Sequence, residues 1–202
     1  MKEIVLGVTG SIGAYKAADL VRRLREEGCG VTCVLTKEAA QFITPLTLQA
    51  LSERKVYTDL FSLEESAVIH TTLADRADLV LIAPATANVI GKLATGLADD
   101  LLTCVALATR APILIAPAMN VHMYEHPVVQ ENLGRLKRLG HQFIGPEHGQ
   151  LACGYDAIGH IADVEHIVQA ALQLLAAAPA RQAPSPARTH RAPTRKRARH
   201  PA

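Results

Sequence analysis

The chain contains no tryptophan, and its four tyrosines and three phenylalanines are the only aromatics among 202 residues. So few rings exclude a single-stranded nucleic-acid binder of the stacking type, which needs several aromatic platforms. No apolar stretch approaches the roughly 20 residues of a membrane-spanning helix, which excludes a helical bilayer span. Cysteine is scarce: Cys29, Cys33, Cys104 and Cys153 form no C-x-x-C pair. No signal-like segment precedes the first apolar run, and both features are expected of a reduced cytoplasmic protein. Acidic side chains are missing from residues 176–202, which hold seven of the 21 basic ones; residues 1–175 therefore carry 14 basic against 19 acidic groups and net −5. The overall charge of +2 conceals an acidic body and a basic extension, so a nucleic-acid-binding patch is not a property of the body.

Hydrophobic residues, mainly Ala, Val, Leu and Ile, make up 49% of the chain, which excludes a disordered protein and suffices for the core of one α/β domain. Short apolar runs at Ile4–Val8, Val31–Leu35, Leu79–Ala83 and Ile113–Ala116, with a weak fifth at Gln142–Ile144, predict strands. Their near-continuous hydrophobicity points to burial on both faces, hence a parallel sheet covered by helices. Helical spacing predicts helices at Ala14–Glu27, Glu38–Ile43, Leu46–Ser52, Ala87–Ala94, Leu101–Thr109, Pro127–Leu139 and Val164–Ala177. Five of the last 24 residues are proline and no periodicity remains, so residues 178–202 are expected to form a disordered basic Pro/Ala/Arg-rich tail after a domain of residues 1–177.

In an open parallel sheet, ligands bind beyond the carboxyl ends of the strands. After the first strand comes Gly10-Ser11-Ile12-Gly13, a turn whose glycines and following helix suit a phosphate or serve packing alone. The second strand ends Leu35-Thr36-Lys37, without the acid that holds a dinucleotide ribose, and the spacing Gly7-x-x-Gly10-x-x-Gly13 departs from G-x-G-x-x-G. Both features favour a mononucleotide such as FMN, while Thr36 also suits a helix cap. Pro84-Ala85-Thr86-Ala87-Asn88 follows the third strand, and Pro117-Ala118-Met119-Asn120 begins the loop after the fourth. Thr86 and Asn120 are equally candidates for ligand contact or capping. Gly149 to Gly154 presents one thiol, Cys153, on what glycine flanks make a mobile flap rather than a core slot.

Taken in order, these segments resemble the homo-oligomeric flavin-containing cysteine decarboxylases, and among them the branch acting on phosphopantothenoylcysteine. The resemblance runs from about residue 3 to residue 175. Its carriers are Gly7 to Lys16 (GVTGSIGAYK), Thr36 to Leu51 (TKEAAQFITPLTLQAL), Pro84 to Asn88 and Pro117 to Tyr124 (PAMNVHMY). It implies a single Rossmann-like (flavodoxin-like) α/β domain, a parallel sheet flanked by helices on both faces. It also implies FMN-dependent decarboxylation of 4′-phosphopantothenoylcysteine to 4′-phosphopantetheine in coenzyme A biosynthesis. Gly10, Ser11, Thr36, Thr86 and Asn88 would hold the FMN, with Phe42 near the flavin. Asn120, with Met119 beside it, would bind the substrate, Asn120 at its carboxylate. His70 corresponds to the family's active-site histidine, although capping of a following helix is its plainer reading. Cys153 corresponds to the flap cysteine that donates a proton. The partners implied are further copies, as a homotrimer or a dodecamer of trimers, and a separate phosphopantothenoylcysteine synthase; no metal is implied.

The sequence departs from the family pattern in three places. The flap continues Gly159-His160-Ile161-Ala162-Asp163-Val164, with His160 where Arg is usual; Tyr124 replaces Trp; and Val89 follows Asn88 in place of Thr. Two alternatives compete: an oxidative decarboxylase of peptidyl cysteine, and a flavin-binding regulatory subunit. The Ala152-Cys153-Gly154 setting favours the phosphopantothenoylcysteine branch over the first, and joint retention of His70 and Cys153 disfavours the second.

Overall fold

Four apolar runs and one short polar one form a parallel sheet in the computed structural model, which describes residues 1–61, 68–150, 154 and 156–177. The strands are β1 (Glu3–Val8), β2 (Gly30–Leu35), β3 (Leu79–Ala85), β4 (Ile113–Pro117) and β5 (Gln142–Phe143), in the order β2-β1-β3-β4-β5. Side chains alternate across the pleat and build two cores. Ile4, Leu6, Val31, Cys33, Leu79, Leu81 and Leu114 face one side. That side is covered by α1 (Lys16–Glu26), α2 (Pro45–Ser52) and α8 (Val164–Ala177). Val5, Val34, Val80, Ile82, Ile113 and Ile115 face the other, against α3 (Ile69–Arg76), α4 (Ala87–Thr95), α5 (Leu101–Ala108) and α7 (Pro127–Arg138). Burial on both faces is why these strands are apolar without alternation.

The chain winds from β1 outward to β2, then crosses to place β3 on the other side of β1. Neighbouring connections diverge there, opening a crevice at the carboxyl ends of β1 and β3, where open α/β sheets take their ligands. Thr9 closes the floor of that crevice. Its hydroxyl donates to the Pro84 carbonyl at 2.7 Å and accepts the Thr86 N–H at 3.0 Å, with the residue 1% exposed. Valine has the same shape but would leave both groups unpaired in a buried place. Thr9→Val is therefore expected to cost about 2 kcal/mol or more in urea denaturation, and a loss under about 0.5 kcal/mol would show that the bridge is unimportant.

The corner between α4 and α5 is tied electrostatically. Lys92, largely buried, reaches Asp99 at 2.7 Å and Asp100 at 2.8 Å, while Asp100 caps α5 in a reciprocal box with Thr103. Burial opposes both charges, but hydrogen bonding outweighs it. The Lys92 ammonium is held above its ordinary pKa, and the Asp100 carboxyl, which also accepts from Thr103, below.

The structure differs from the periodicity reading in several places. The helix expected at Glu38–Ile43 shrinks to a 3-10 turn at Ala39–Gln41, because Thr44, extended at ψ 145° before Pro45, must stop it and instead caps α2. The helix expected from Ala14 begins as a 3-10 turn at Ile12–Tyr15, and α1 proper starts at Lys16. The short helix α6 (Val121–Glu125) has no counterpart in the periodicity reading, and α3, which buries only Ile69, Leu73 and Ala74, enters the sequence reading only as the helix following His70. Residues 147–160 hold an antiparallel hairpin, β6 (Glu147–Gln150) with β7 (Asp156–His160), where the sequence predicts only a loop. Neither strand carries the β-branched and aromatic enrichment that marks strands by pattern.

Candidate active site

Four consecutive loops deliver polar side chains to the carboxyl edge of the sheet. Ser11 follows β1; Thr36 follows β2; Thr86 caps α4 after β3; Asn120 caps α6 after β4. The capping readings of Thr36, Thr86 and Asn120 hold, in that each side chain accepts an N–H of the turn it opens, and Ser11 does the same. Ser11 Oγ accepts the Gly13 N–H at 3.3 Å, Thr36 Oγ1 the Ala39 N–H at 3.3 Å, Thr86 Oγ1 the Val89 N–H at 3.5 Å and Asn120 Oδ1 the His122 N–H at 2.9 Å. Capping uses an oxygen lone pair and leaves each hydroxyl hydrogen to donate, so cap and ligand contact are compatible. All four residues are half-buried, Asn88 is exposed, and Met119 is half-buried with its N–H donated to the Gly159 carbonyl at 3.1 Å.

The first turn serves packing as well as access. A Cβ on Gly10 would collide with the Cβ of Glu38, so the glycine lets the loop after β1 lie against the loop after β2. The N–H groups of Ser11, Gly13 and Ala14 are already used within the turn. The N–H groups of Gly10 and Ile12 make no bond among the described residues, and neither do the first-turn N–H groups of α4 at Ala87 and Asn88, where the positive end of the helix dipole faces the crevice.

His70 lies in the first turn of α3, not at its cap. The cap is Val68, whose carbonyl accepts the N–H groups of Thr71 and Thr72 and the Thr71 hydroxyl. The capping reading of His70 is thereby overturned. Only two residues separate α3 from β3, so α3 runs against the strand direction and its first turn stands at the carboxyl edge. His70 Nδ1 is buried and has no hydrogen-bond partner among the described residues. A buried unpaired ring nitrogen costs free energy unless a ligand or proton carrier completes it.

Apolar side chains rim the same edge. Ile12 is 58% exposed, Phe42 47% and Met123 49%, each within the segment that follows a strand: the 3-10 turn after β1, the end of the turn after β2, and α6 after β4. Cys153 falls outside the described residues, in the segment joining β6 to β7. The described thiols are poor acids: burial pushes Cys33 up to about 12, and burial, reinforced by nearby carboxylates, raises Cys29 and Cys104. None has the lowered pKa of a reactive thiolate.

These groups fit a flavin mononucleotide. Free hydroxyl hydrogens and the α4 terminus suit a phosphate and polyol chain, and the exposed apolar rim suits one edge of a planar ring. A sequence profile of the family described as Flavoprotein matches residues 1–176. The chain belongs to this flavoprotein family. It is 50% identical over 171 residues to the coenzyme A biosynthesis bifunctional protein CoaBC of Bacillus subtilis, covering 84% of this chain but 42% of that protein. The flavoprotein thus spans about half the length of the bifunctional relatives it matches. It is 47% identical over 171 residues to a probable phosphopantothenoylcysteine decarboxylase of Streptococcus mutans, covering 83% of this chain and 96% of that protein. Its fold superposes with a TM-score of 0.77 on a cysteine-to-serine mutant of PPC decarboxylase complexed with pantothenoylaminoethenethiol, at 33% identity, covering 85% of this chain and 97% of the other. The FMN-dependent cysteine decarboxylase SpaF gives the same TM-score at 31% identity, over 88% of this chain and 98% of the other.

Sequence reasoning missed Thr9 and Gly159 as site-building residues. Thr9 sits between a strand and a glycine turn, where a hydroxyl carries no distinctive spacing. Gly159, at φ 137°, has no room for a Cβ beneath the Met119 carbonyl. Gly159 gains meaning only when the hairpin is seen to stand beside the loop after β4.

Proposed function

We propose that this chain is an FMN-dependent decarboxylase converting 4′-phosphopantothenoylcysteine to 4′-phosphopantetheine. One observation carries the reading. Hydroxyl, amide and imidazole groups scattered from Ser11 to Asn120 lie along one sheet edge, and the imidazole among them has a buried nitrogen with no partner among the described residues. The nearly full-length match to the Streptococcus mutans relative supports it, as does the ethenethiol ligand of the cysteine-to-serine PPC decarboxylase.

A carboxylate next to an ordinary carbon loses CO2 slowly because the electron pair left behind has no acceptor. When bound, FMN would supply a reversible two-electron acceptor, so that the thiol-bearing carbon can pass through C=S and back. His70 would take the thiol proton as C=S forms and hold it until the product thiol is restored. The Asn120 amide would donate to the carboxylate and hold it in place. The electron pair of the breaking C–C bond would then flow into C=S and give an ene-thiolate. Cys153 would give a proton to Cα, restoring C=S for reduction to the product thiol. Gly10, Ser11, Thr36, Thr86 and Asn88 would hold the phosphate and ribityl chain, with Phe42 near the flavin.

The scarcity of aromatics suits a ring held partly by another copy of the chain, and the family resemblance implies a homotrimer or a dodecamer of trimers. A phosphopantothenoylcysteine synthase is the other partner of this reading, which the bifunctional CoaBC relatives support. Incubation of the holoprotein with 4′-phosphopantothenoylcysteine and, separately, a Cys-terminated peptide, followed by mass analysis, tests the reading. Loss of CO2 from the former with 4′-phosphopantetheine as product is expected. Decarboxylation of the peptide alone, or a protein that takes up no FMN, would overturn it.

A further inference from the structure

Backbone pairing between β1 and β3 ends early. Their ladder runs from Ile4 opposite Leu79 to Gly7 opposite Ile82 and stops there, before the loops that form the active site. Pro84 has no N–H to donate, so it cannot donate a backbone rung. The Thr9 side chain makes the next link instead. A hydroxyl gives and accepts at one oxygen, and this one gives to the Pro84 carbonyl and accepts from the Thr86 N–H, gripping the chain on both sides of Ala85. The Thr9 carbonyl accepts the Ser11 N–H at 2.8 Å, which ties the same residue into the turn after β1. Neighbouring ties along this edge are backbone bonds: the Thr36 N–H to the Val8 carbonyl and the Ala118 N–H to the Ala85 carbonyl, each at 3.0 Å. The tie from β1 to β3 thus hangs on one side chain, at the point where the connections diverge.

We propose that Thr9 is a positioning residue for the cofactor phosphate: its buried hydroxyl fixes the turn after β1 relative to the amino terminus of α4. The proposal rests on the reading in which these two segments hold FMN by its phosphate. N–H groups without a bond among the described residues lie on both sides of the bridge, at Gly10 and Ile12 in the turn and at Ala87 and Asn88 in α4. A phosphate is small, and each donor must come within about 2.7–3.2 Å of one of its oxygens. Donors on two separate loops meet that demand together when the distance between the loops is held. Thr9 is 1% exposed and its hydroxyl is used on both sides, so it acts through the loops and does not touch the ligand. Its influence therefore falls on the phosphate and spares the flavin ring.

Riboflavin is FMN without the phosphate, so a competition between the two isolates the phosphate contact. Holoprotein is dialysed to equilibrium against equal concentrations of FMN and riboflavin, and the bound flavins are separated and counted. Wild type is expected to hold mainly FMN. Thr9→Val should lower the ratio of bound FMN to riboflavin by about tenfold, the equivalent of one displaced hydrogen bond to a charged group. Thr9→Ser keeps both bonds and should stay within about twofold of wild type. Thr9→Ala leaves room for a water between the Pro84 carbonyl and the Thr86 N–H, so its ratio should fall between the two; it carries the comparison if Thr9→Val does not fold. Leu24→Ala cuts into the core under α1 near the opposite edge of the sheet and should leave the ratio unchanged while weakening the fold. A wild-type ratio in folded Thr9→Val, a ratio in Thr9→Ser as low as in Thr9→Val, or an equal fall in Leu24→Ala would each overturn the proposal. Those results leave the phosphate reading standing, since wild type still prefers FMN. Wild type that holds riboflavin as well as FMN would remove the phosphate reading itself, and the role of Thr9 with it.

Discussion

Cys153→Ser is expected to go on releasing CO2 from 4′-phosphopantothenoylcysteine while its yield of 4′-phosphopantetheine falls by about a hundredfold or more. The oxidised ene-thiol should accumulate instead. The reason is acidity. A thiol, with an ordinary pKa near 8.5, can give a proton to carbon, whereas a serine hydroxyl is a far weaker acid at the same place. Oxidation and CO2 loss precede that proton transfer and do not need it. Separation of the two products by mass analysis decides the matter, and a normal 4′-phosphopantetheine yield would remove Cys153 from the chemistry. The other thiols offer no substitute: Cys33 is sealed in the core with its pKa pushed up to about 12, Cys29 is buried in the same core, and Cys104, its pKa raised by burial, donates to the Ala98 carbonyl at 3.3 Å.

His70→Asn is expected to lower kcat by about a hundredfold to ten-thousandfold for both products, because it removes the group that takes the thiol proton at the first step. FMN content should stay at wild-type level, since His70 is not among the residues proposed to hold the cofactor. Asparagine is tolerated in a helix's first turn, where N–H groups lack intrahelical partners. Loss of flavin with loss of activity would instead make His70 a structural support, and retention of activity would exclude it as the base. The two variants are distinguishable within one assay: Cys153→Ser changes which product appears, and His70→Asn changes how much of either appears.

The parts of the fold that could be read in advance are those where one physical demand dominates. Leu79 to Ala83 reads as a buried strand because its apolar run is too short for a buried helix and is bounded by Asp78 and Pro84, and Val164–Ala177 shows enough helical turns for its periodicity to be unambiguous. The failures cluster where elements are short. Residues 38–43 look helical by composition, but Pro45 dictates an extended Thr44 and ends the turn early. Helix α3 and the hairpin β6–β7 are stabilised by what they touch, so their own residues carry little periodic signal.

The candidate site divides in the same way. Ser11, Thr36, Thr86 and Asn120 were legible because strand ends in a parallel sheet point to one edge, and each follows a strand by one to three residues. His70 was selected only through resemblance; its placement depends on α3 running back along the sheet, and its unpaired Nδ1 is a property of packing. The sequence by itself determined the layered architecture, the acidic body with its basic extension, and the residue types available at each loop, since these follow from local hydrophobic pattern and composition. Tertiary structure alone decided that Thr9 would join β1 to β3, that Gly159 would free its carbonyl for Met119, and that Glu147 would meet His166. Each of these contacts links residues far apart in the chain or turns on a one-residue shift in register, and neither leaves a trace in local periodicity.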